Sequence, residues 1–147
     1  MSQRRVIAGL DAEGRSCIII DGEVPALRPA ANLVWRTEAV PADNAGTADA
    51  AICYDTAMLH DGGTSFILTE LPPGVVVPTH ATDTIDYIVM IAGEVVFTVE
   101  TGEVTLRPGD LLVDRGVIHG WRNDGPQVAV YASVTIPALP VGAGRTV

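Results

Sequence analysis

The chain of 147 residues contains no lysine, so its nine basic residues are all arginines. Without a lysine amine, the protein cannot form a lysine Schiff base with a carbonyl substrate or use lysine as a general base. Eighteen acidic residues bring the formal net charge to −9, and no basic stripe runs along the sequence. This charge balance argues against nucleic acid or an anionic membrane as a partner.

Cysteine and long apolar runs are also scarce. Cys17 and Cys53 are too few for a disulfide framework or a zinc site, and we expect both to be buried free thiols. No stretch approaches the roughly 18 apolar residues that a transmembrane helix needs. The apolar run Val6–Leu10 is too short for the core of a signal peptide. We therefore expect a soluble, cytoplasmic protein with one domain.

Turn signals divide the chain into short segments that favour β-strands. Asp11–Gly14 separates Val6–Leu10 from Ser16–Ile20, which predicts an N-terminal hairpin. Leu33–Thr37 predicts a further short strand, and residues 38–50 predict a long loop. The later predicted strands are Thr64–Leu71, Thr84–Ala92, Glu94–Glu100, Glu103–Leu106, Leu111–Val113, Ile118–Trp121 and Gln127–Ile136. With no helical period in the chain, an all-β barrel or double sheet is expected.

Two segments place polar side chains where β-strands are usually apolar. The first, residues 74–93, contains His80, Thr82 and Asp86. On an unbroken strand these even-numbered residues would point to the same side. The second, residues 109–123, contains His119, Trp121 and Asn123, which share a face in the same way. The two segments together predict one polar pocket.

These segments resemble the paired motifs of the cupin superfamily. The matching positions of the first motif are Gly74, His80, Asp86 and Gly93, and those of the second are Gly116, His119 and Asn123. Over its full length the chain is also similar to small stand-alone bacterial and fungal cupins. The resemblance implies an all-β fold, a double-stranded β-helix or jelly-roll barrel with an N-terminal strand extension. Residues 1–60 would be N-terminal strands and a loop that serve as a dimer arm, residues 61–137 the barrel, and residues 138–147 a flexible tail.

The chain departs from the cupin motifs at three positions. Thr82 replaces a histidine, Asp86 replaces a glutamate, and Asp114 replaces a proline. The resemblance implies His80, Asp86 and His119 as ligands of one divalent metal: iron, manganese, nickel or zinc. The alternative has no metal. In that case His80 or His119 acts as general acid or base and Asp86 orients it.

Three functions follow as hypotheses. The first is an enzyme that performs acid–base chemistry on a small organic substrate, as a dehydratase, decarboxylase, isomerase or cyclase, with catalytic residues His80, Asp86 and His119. The second is a metal-dependent oxygenase that uses the same three residues, and the third is a non-catalytic ligand-binding cupin. The expected substrate contacts are Thr82, Met90, Trp121 and Arg122. Because cupins commonly pair through sheet edges and N-terminal strands, a homodimer is expected.

Overall fold

The computed structural model describes residues 3–147, which form three antiparallel sheets and one short 3-10 helix at Thr56–His60. The eleven strands are β1 (Arg4–Leu10), β2 (Ser16–Glu23), β3 (Ala31–Arg36), β4 (Ser65–Leu71), β5 (Val76–His80), β6 (Thr84–Ala92), β7 (Val95–Val99), β8 (Gly102–Leu106), β9 (Leu111–Asp114), β10 (His119–Arg122) and β11 (Ala129–Pro137). The predicted all-β class is confirmed, and so are the predicted strands within one to three residues of their ends.

Two of the sheets form the double-stranded β-helix. The first has the order β5-β10-β7-β8, and the second has the order β3-β4-β11-β6-β9. Side chains from both sheets meet in one buried apolar cluster, which contains Leu71, Val95, Phe97, Trp121 and Tyr131 among others. Burial of these apolar surfaces holds the sheets together, and closure of the sheets protects most strand edges.

The first polar segment is broken rather than continuous. β5 ends at His80 and β6 begins at Thr84, so residues 81–83 form a link between the two sheets. The condition of an unbroken strand is therefore not met. The predicted convergence of the polar residues nevertheless survives, because His80 ends a strand of one sheet and Asp86 lies in the adjacent strand of the other.

The N-terminal extension is shorter than the sequence predicted. Although β3 lies within residues 1–60, it pairs with β4, with Leu33 opposite Ile67, and is an edge strand of the five-stranded sheet. The buried Leu33 side chain explains this position, because it packs against Ile67 and Leu59. Only β1 and β2 form a sheet of their own. Their exposed Val6, Leu10 and Ile18 leave apolar surface uncovered, and the homodimer stays a prediction.

Segment 138–147 follows β11 without forming a further strand. The amide of Ala138 donates to the carbonyl of Asp83 over 2.8 Å, and Thr146 exchanges two hydrogen bonds of 2.9 Å with Ala81. These contacts place the segment against the link between β5 and β6. Cys17 and Cys53 are free thiols, as predicted, but the expectation that they are buried was wrong, because Cys17 is half-buried and Cys53 is exposed. Within residues 3–147, no helix has the length and apolar character that crossing a membrane would require.

Candidate functional site

Two cavities of the fold differ greatly in size. The larger, of about 1090 Å³, is an open groove between the N-terminal hairpin, residues 36–52 and the outer face of the five-stranded sheet. Its most buried charged group, Arg5, already pairs with Asp49 and donates to the carbonyl of Val34. The smaller, of about 110 Å³, lies inside the barrel and contains both motif histidines. We assign the functional site to the smaller cavity because it brings titratable groups together in an apolar surrounding.

His80 and His119 face each other across this cavity. Antiparallel pairing of β5 with β10 sets the two residues directly opposite, and their ring centroids are 4.5 Å apart. Nδ1 of His80 lies 2.8 Å from the carbonyl oxygen of Pro78, and Nδ1 of His119 lies 2.9 Å from that of Val117. A carbonyl can only accept, so each Nδ1 carries the proton and donates it. In the neutral form of either ring, Nε2 therefore keeps its lone pair.

Asp114 is the charged partner of His119. Its Oδ2 lies 2.8 Å from Nδ1 of His119, and both side chains are almost fully buried. The Nδ1 proton points to the Val117 carbonyl, so the contact with Asp114 is an ion pair rather than a second aligned hydrogen bond. The other oxygen of Asp114 accepts the amides of Gly116 and Val117, which fixes the carboxylate at the turn before His119.

The two histidines have opposite pKa shifts. Burial lowers the pKa of His80, and the charge of neighbouring His119 lowers it further, outweighing the hydrogen bond to Pro78. Burial would also lower the pKa of His119, but the carboxylate of Asp114 outweighs it and raises that pKa. A pair of titratable groups with pKa values pushed apart is suited to serve as one acid and one base.

A chain of three hydrogen-bonded side chains forms another wall of the cavity. The hydroxyl of Thr82 lies 2.7 Å from that of Thr84, and Thr84 donates to Oδ1 of Asp86 over 2.7 Å. Thr82 and Thr84 are 5% and 1% exposed, so water does not compete for these bonds. Burial raises the pKa of Asp86 to about 6, although the hydrogen bond from Thr84 lowers it.

Comparison with known proteins identifies the family. Residues 67–135 match the cupin domain model. The chain contains a cupin domain. It is 32% identical over 132 residues to a cupin-domain-containing oxidoreductase, fogC, of Aspergillus ruber, covering 81% of this chain and 63% of the relative. It is 28% identical over 148 residues to another cupin-domain-containing oxidoreductase, srdB, of Neurospora crassa, covering 93% of this chain and 76% of that protein.

Two further proteins are similar to this chain. Phomopsin biosynthesis cluster protein D of Diaporthe leptostromiformis is 29% identical over 153 residues, with 93% of this chain and 79% of the relative covered. A solved structure from Thermus thermophilus is 30% identical and superposes with a TM-score of 0.47, covering 51% of this chain and 73% of that one. This cupin spans less than two thirds of the length of fogC.

The cavity contains most, but not all, of the site residues predicted from sequence. His80, Thr82, Asp86, His119 and Trp121 line it. Met90 does not, because it packs in the apolar cluster between the sheets, where it is 2% exposed. Arg122 lies on the outer side of β10, where its guanidinium binds Glu103 and Asp124 over 2.6 and 2.7 Å. Alternation along the strand explains this, since Trp121 points inward and Arg122 outward.

Several lining residues of this cupin were missed. They include Tyr131, Ser133 and Thr135 of β11, together with Tyr54 and Thr69. The apolar even-numbered residues of β11 alternate with these side chains, and Val130 and Ala132 pack in a second cluster with Val34 and Leu68. The odd-numbered face points into the barrel. A row of hydroxyl side chains within an otherwise apolar strand was the available signal.

The orienting residue was also assigned incorrectly. Asp86 was expected to orient a histidine, whereas the side chain against Nδ1 of His119 is that of Asp114. β6 and β9 pair so that Asp86 and Asp114 are directly opposite each other. The chain then turns at Gly116, which brings His119 back beside Asp114. This contact joins two strands, so the alternation along one strand could not predict it.

Proposed function

We propose that this cupin is a small-molecule enzyme that performs acid–base chemistry in the barrel cavity, with His119 as general acid and His80 as general base. The observation that carries the proposal is the pairing of the two rings at 4.5 Å with Asp114 beside only one of them. Proton transfer at a carbon or oxygen of the substrate underlies dehydratase, decarboxylase, isomerase and cyclase reactions, so the proposal covers this group of lyases and isomerases.

Each histidine is held in the orientation that its role needs. The carbonyl of Pro78 holds the Nδ1 proton of His80, so its unprotonated Nε2 is available to accept a proton from the substrate. The carboxylate of Asp114 stabilises the imidazolium form of His119, so its Nε2 can donate a proton. One turnover thus moves a proton from the substrate to His80 and another from His119 to the substrate. Solvent exchange then restores both rings.

Replacement of His119 by alanine tests this function. General acid–base groups contribute about 10²–10⁴-fold to rate, so we expect His119→Ala to lower kcat by at least about 100-fold. The substrate would be found by screening small hydroxy acids, keto acids and enolisable ketones. The readout is the incorporation of deuterium from deuterated solvent into the compound. His60→Gln is the matched control, because His60 does not line the cavity. Circular dichroism would confirm that both variants fold, and unchanged turnover of a folded His119→Ala protein contradicts the proposal.

A metal-dependent oxygenase is the second candidate, favoured by the description of similar fungal proteins as oxidoreductases. Histidine ligands commonly donate Nδ1–H to a carbonyl or carboxylate, as His80 and His119 do. Among residues 3–147, however, no group of three or more His, Cys, Asp or Glu side chains is placed to hold a metal ion. Since catalytic iron and zinc sites use about three protein ligands, these residues do not fit such a site.

Metal analysis separates the two candidates. Two imidazoles without a third protein ligand bind a divalent metal weakly, so we expect far less than one equivalent of iron, manganese, nickel or zinc in tag-free protein. Inductively coupled plasma mass spectrometry after growth in medium supplemented with each metal would measure this. One equivalent in the wild type that both His80→Ala and His119→Ala lose would instead favour the oxygenase. Tight binding of a small molecule with no turnover would favour a ligand-binding cupin.

A further inference from the structure

The hydroxyl protons of Thr82 and Thr84 have only one consistent arrangement when Asp86 is ionised. A carboxylate can only accept, so Thr84 gives its single proton to Oδ1 of Asp86 over 2.7 Å. Thr84 then has no proton left for Thr82. The 2.7 Å contact between the two hydroxyls must therefore be a donation from Thr82 to Thr84.

This arrangement leaves hydrogen-bond acceptors facing the cavity. Thr82 has used its proton on Thr84, so its oxygen offers the cavity only lone pairs. Within residues 3–147, Oδ2 of Asp86 has no hydrogen-bond partner, although Asp86 lines the cavity. A ligand that fills the cavity would displace water from these two oxygens, and an acceptor left there without a donor costs free energy, so they favour a ligand that brings one.

The remaining walls carry the hydroxyl side chains of β11 as well as apolar side chains, and the apolar part defines the body of that ligand. Trp121 and Tyr131 stack with ring centroids 4.9 Å apart, and Ile67 and Ile88 complete an apolar surface. The cavity measures about 110 Å³. For comparison, an engineered apolar cavity of about 150 Å³ binds benzene, so a molecule with one ring or an equivalent short chain is the suitable size.

We propose that Thr82 and Asp86, with Thr84 as the residue that positions them, select a substrate with a hydroxyl or N–H donor on a small, largely apolar body. The inference rests on the proposed function for the choice of cavity, but it concerns binding and not turnover. Thr84 touches no substrate, because it acts through the hydroxyl of Thr82. The expected ligands are small alcohols, phenols and amines in their neutral form.

Matched pairs of probes test this selection without a known substrate. We would titrate the 15N-labelled full chain at pH 8, where Asp86 is ionised, with phenol and anisole, aniline and N,N-dimethylaniline, and cyclohexanol and methoxycyclohexane. The indole N–H signal of Trp121 reports on the cavity, whereas Trp35 lines the larger groove and reports on binding there. We expect the donor-bearing member of at least one pair to bind about tenfold or more tightly at Trp121, the effect of one unsatisfied buried acceptor.

Two variants of Thr84 separate positioning from simple packing. Thr84→Ser keeps the hydroxyl and should keep the preference for phenol over anisole. Thr84→Val keeps the shape but frees the proton of Thr82 to point into the cavity, so the preference should fall at least threefold. Equal binding within all three pairs, shifts confined to Trp35, or no saturable shift with any probe would overturn the inference. So would an unchanged preference in Thr84→Val. A loss of turnover in His119→Ala has no bearing on these outcomes.

Discussion

Asp114→Asn is expected to reverse the direction of the pKa shift of His119. In the wild type the carboxylate of Asp114, 2.8 Å from Nδ1, outweighs the effect of burial and raises the pKa of His119 above the ordinary value for histidine. Asparagine keeps the side-chain oxygen that accepts the amides of Gly116 and Val117, so the turn is preserved. Burial is then opposed only by the hydrogen bond to Val117 and the charge of Asp86, so we expect the pKa of His119 to fall below its ordinary value.

The same substitution changes how stability depends on pH. A group whose pKa is higher in the folded state stabilises the fold fully below its unfolded pKa, and this contribution disappears as the pH rises through the folded pKa. The wild type should therefore be more stable than Asp114→Asn, and the difference in stability should be largest at pH 5–6 and smallest above pH 8. At the acidic end we expect the free energies of unfolding of the two proteins to differ by about 3 kcal/mol. This is the lower limit for breaking a buried ion pair, because the imidazole left without its partner can release its proton.

NMR titration of the imidazole carbons and urea unfolding from pH 5 to pH 9 would measure both effects. Asp110→Asn is the matched control, since the exposed side chain of Asp110 accepts the amide of Arg107 and lies away from the cavity. If the proposed acid role is correct, the alkaline limb of the pH–rate profile, where the general acid loses its proton, should also move to lower pH in Asp114→Asn. A pKa of His119 that stays raised in Asp114→Asn would show that Asp114 does not govern this residue.

The sequence predicted the strands and the meeting of His80 with His119 because both depend on local signals. Turn residues mark the ends of strands. The spacing of the two motifs resembles that of the cupins, and this resemblance implied that the two segments meet, as β5 and β10 do. Asp86 was correctly placed in the cavity for the same reason. These features need only the period of a strand and the order of its turns.

The missed features depend on contacts between elements distant in sequence. Asp114 was noted only as a substitution for proline, since its contact with His119 requires the fold of the turn at Gly116. Tyr131 was overlooked because alternation identifies two faces of a strand but not which one points into the barrel. Arg122 was expected in the site because an arginine can bind a substrate or an oxyanion. It lies outside the site because its guanidinium binds the carboxylates of Glu103 and Asp124.

Gly93→Ala is expected to be the most destabilising small substitution among the glycines of the two motifs. The φ of Gly93 is +64°, and a Cβ there would lie 2.5 Å from the carbonyl oxygen of Val128 and 2.9 Å from Cα of Ala129. Both neighbours are backbone atoms at the start of β11, which also supplies Tyr131 to the cavity. The left-handed conformation costs alanine about 1–2 kcal/mol, and displacing a packed strand adds about 1–3 kcal/mol.

Two other glycines separate these costs. Gly74 also has a positive φ, +79°, but a Cβ there would have nothing within 4 Å, so Gly74→Ala should cost only the conformational part, about 1–2 kcal/mol. Gly102 has neither feature, and Gly102→Ala should be nearly neutral. Urea unfolding of the three variants should therefore rank Gly93 well above Gly74 and Gly74 above Gly102. Equal losses at Gly93 and Gly74 would mean that backbone conformation, and not contact with β11, explains the glycine of the first motif.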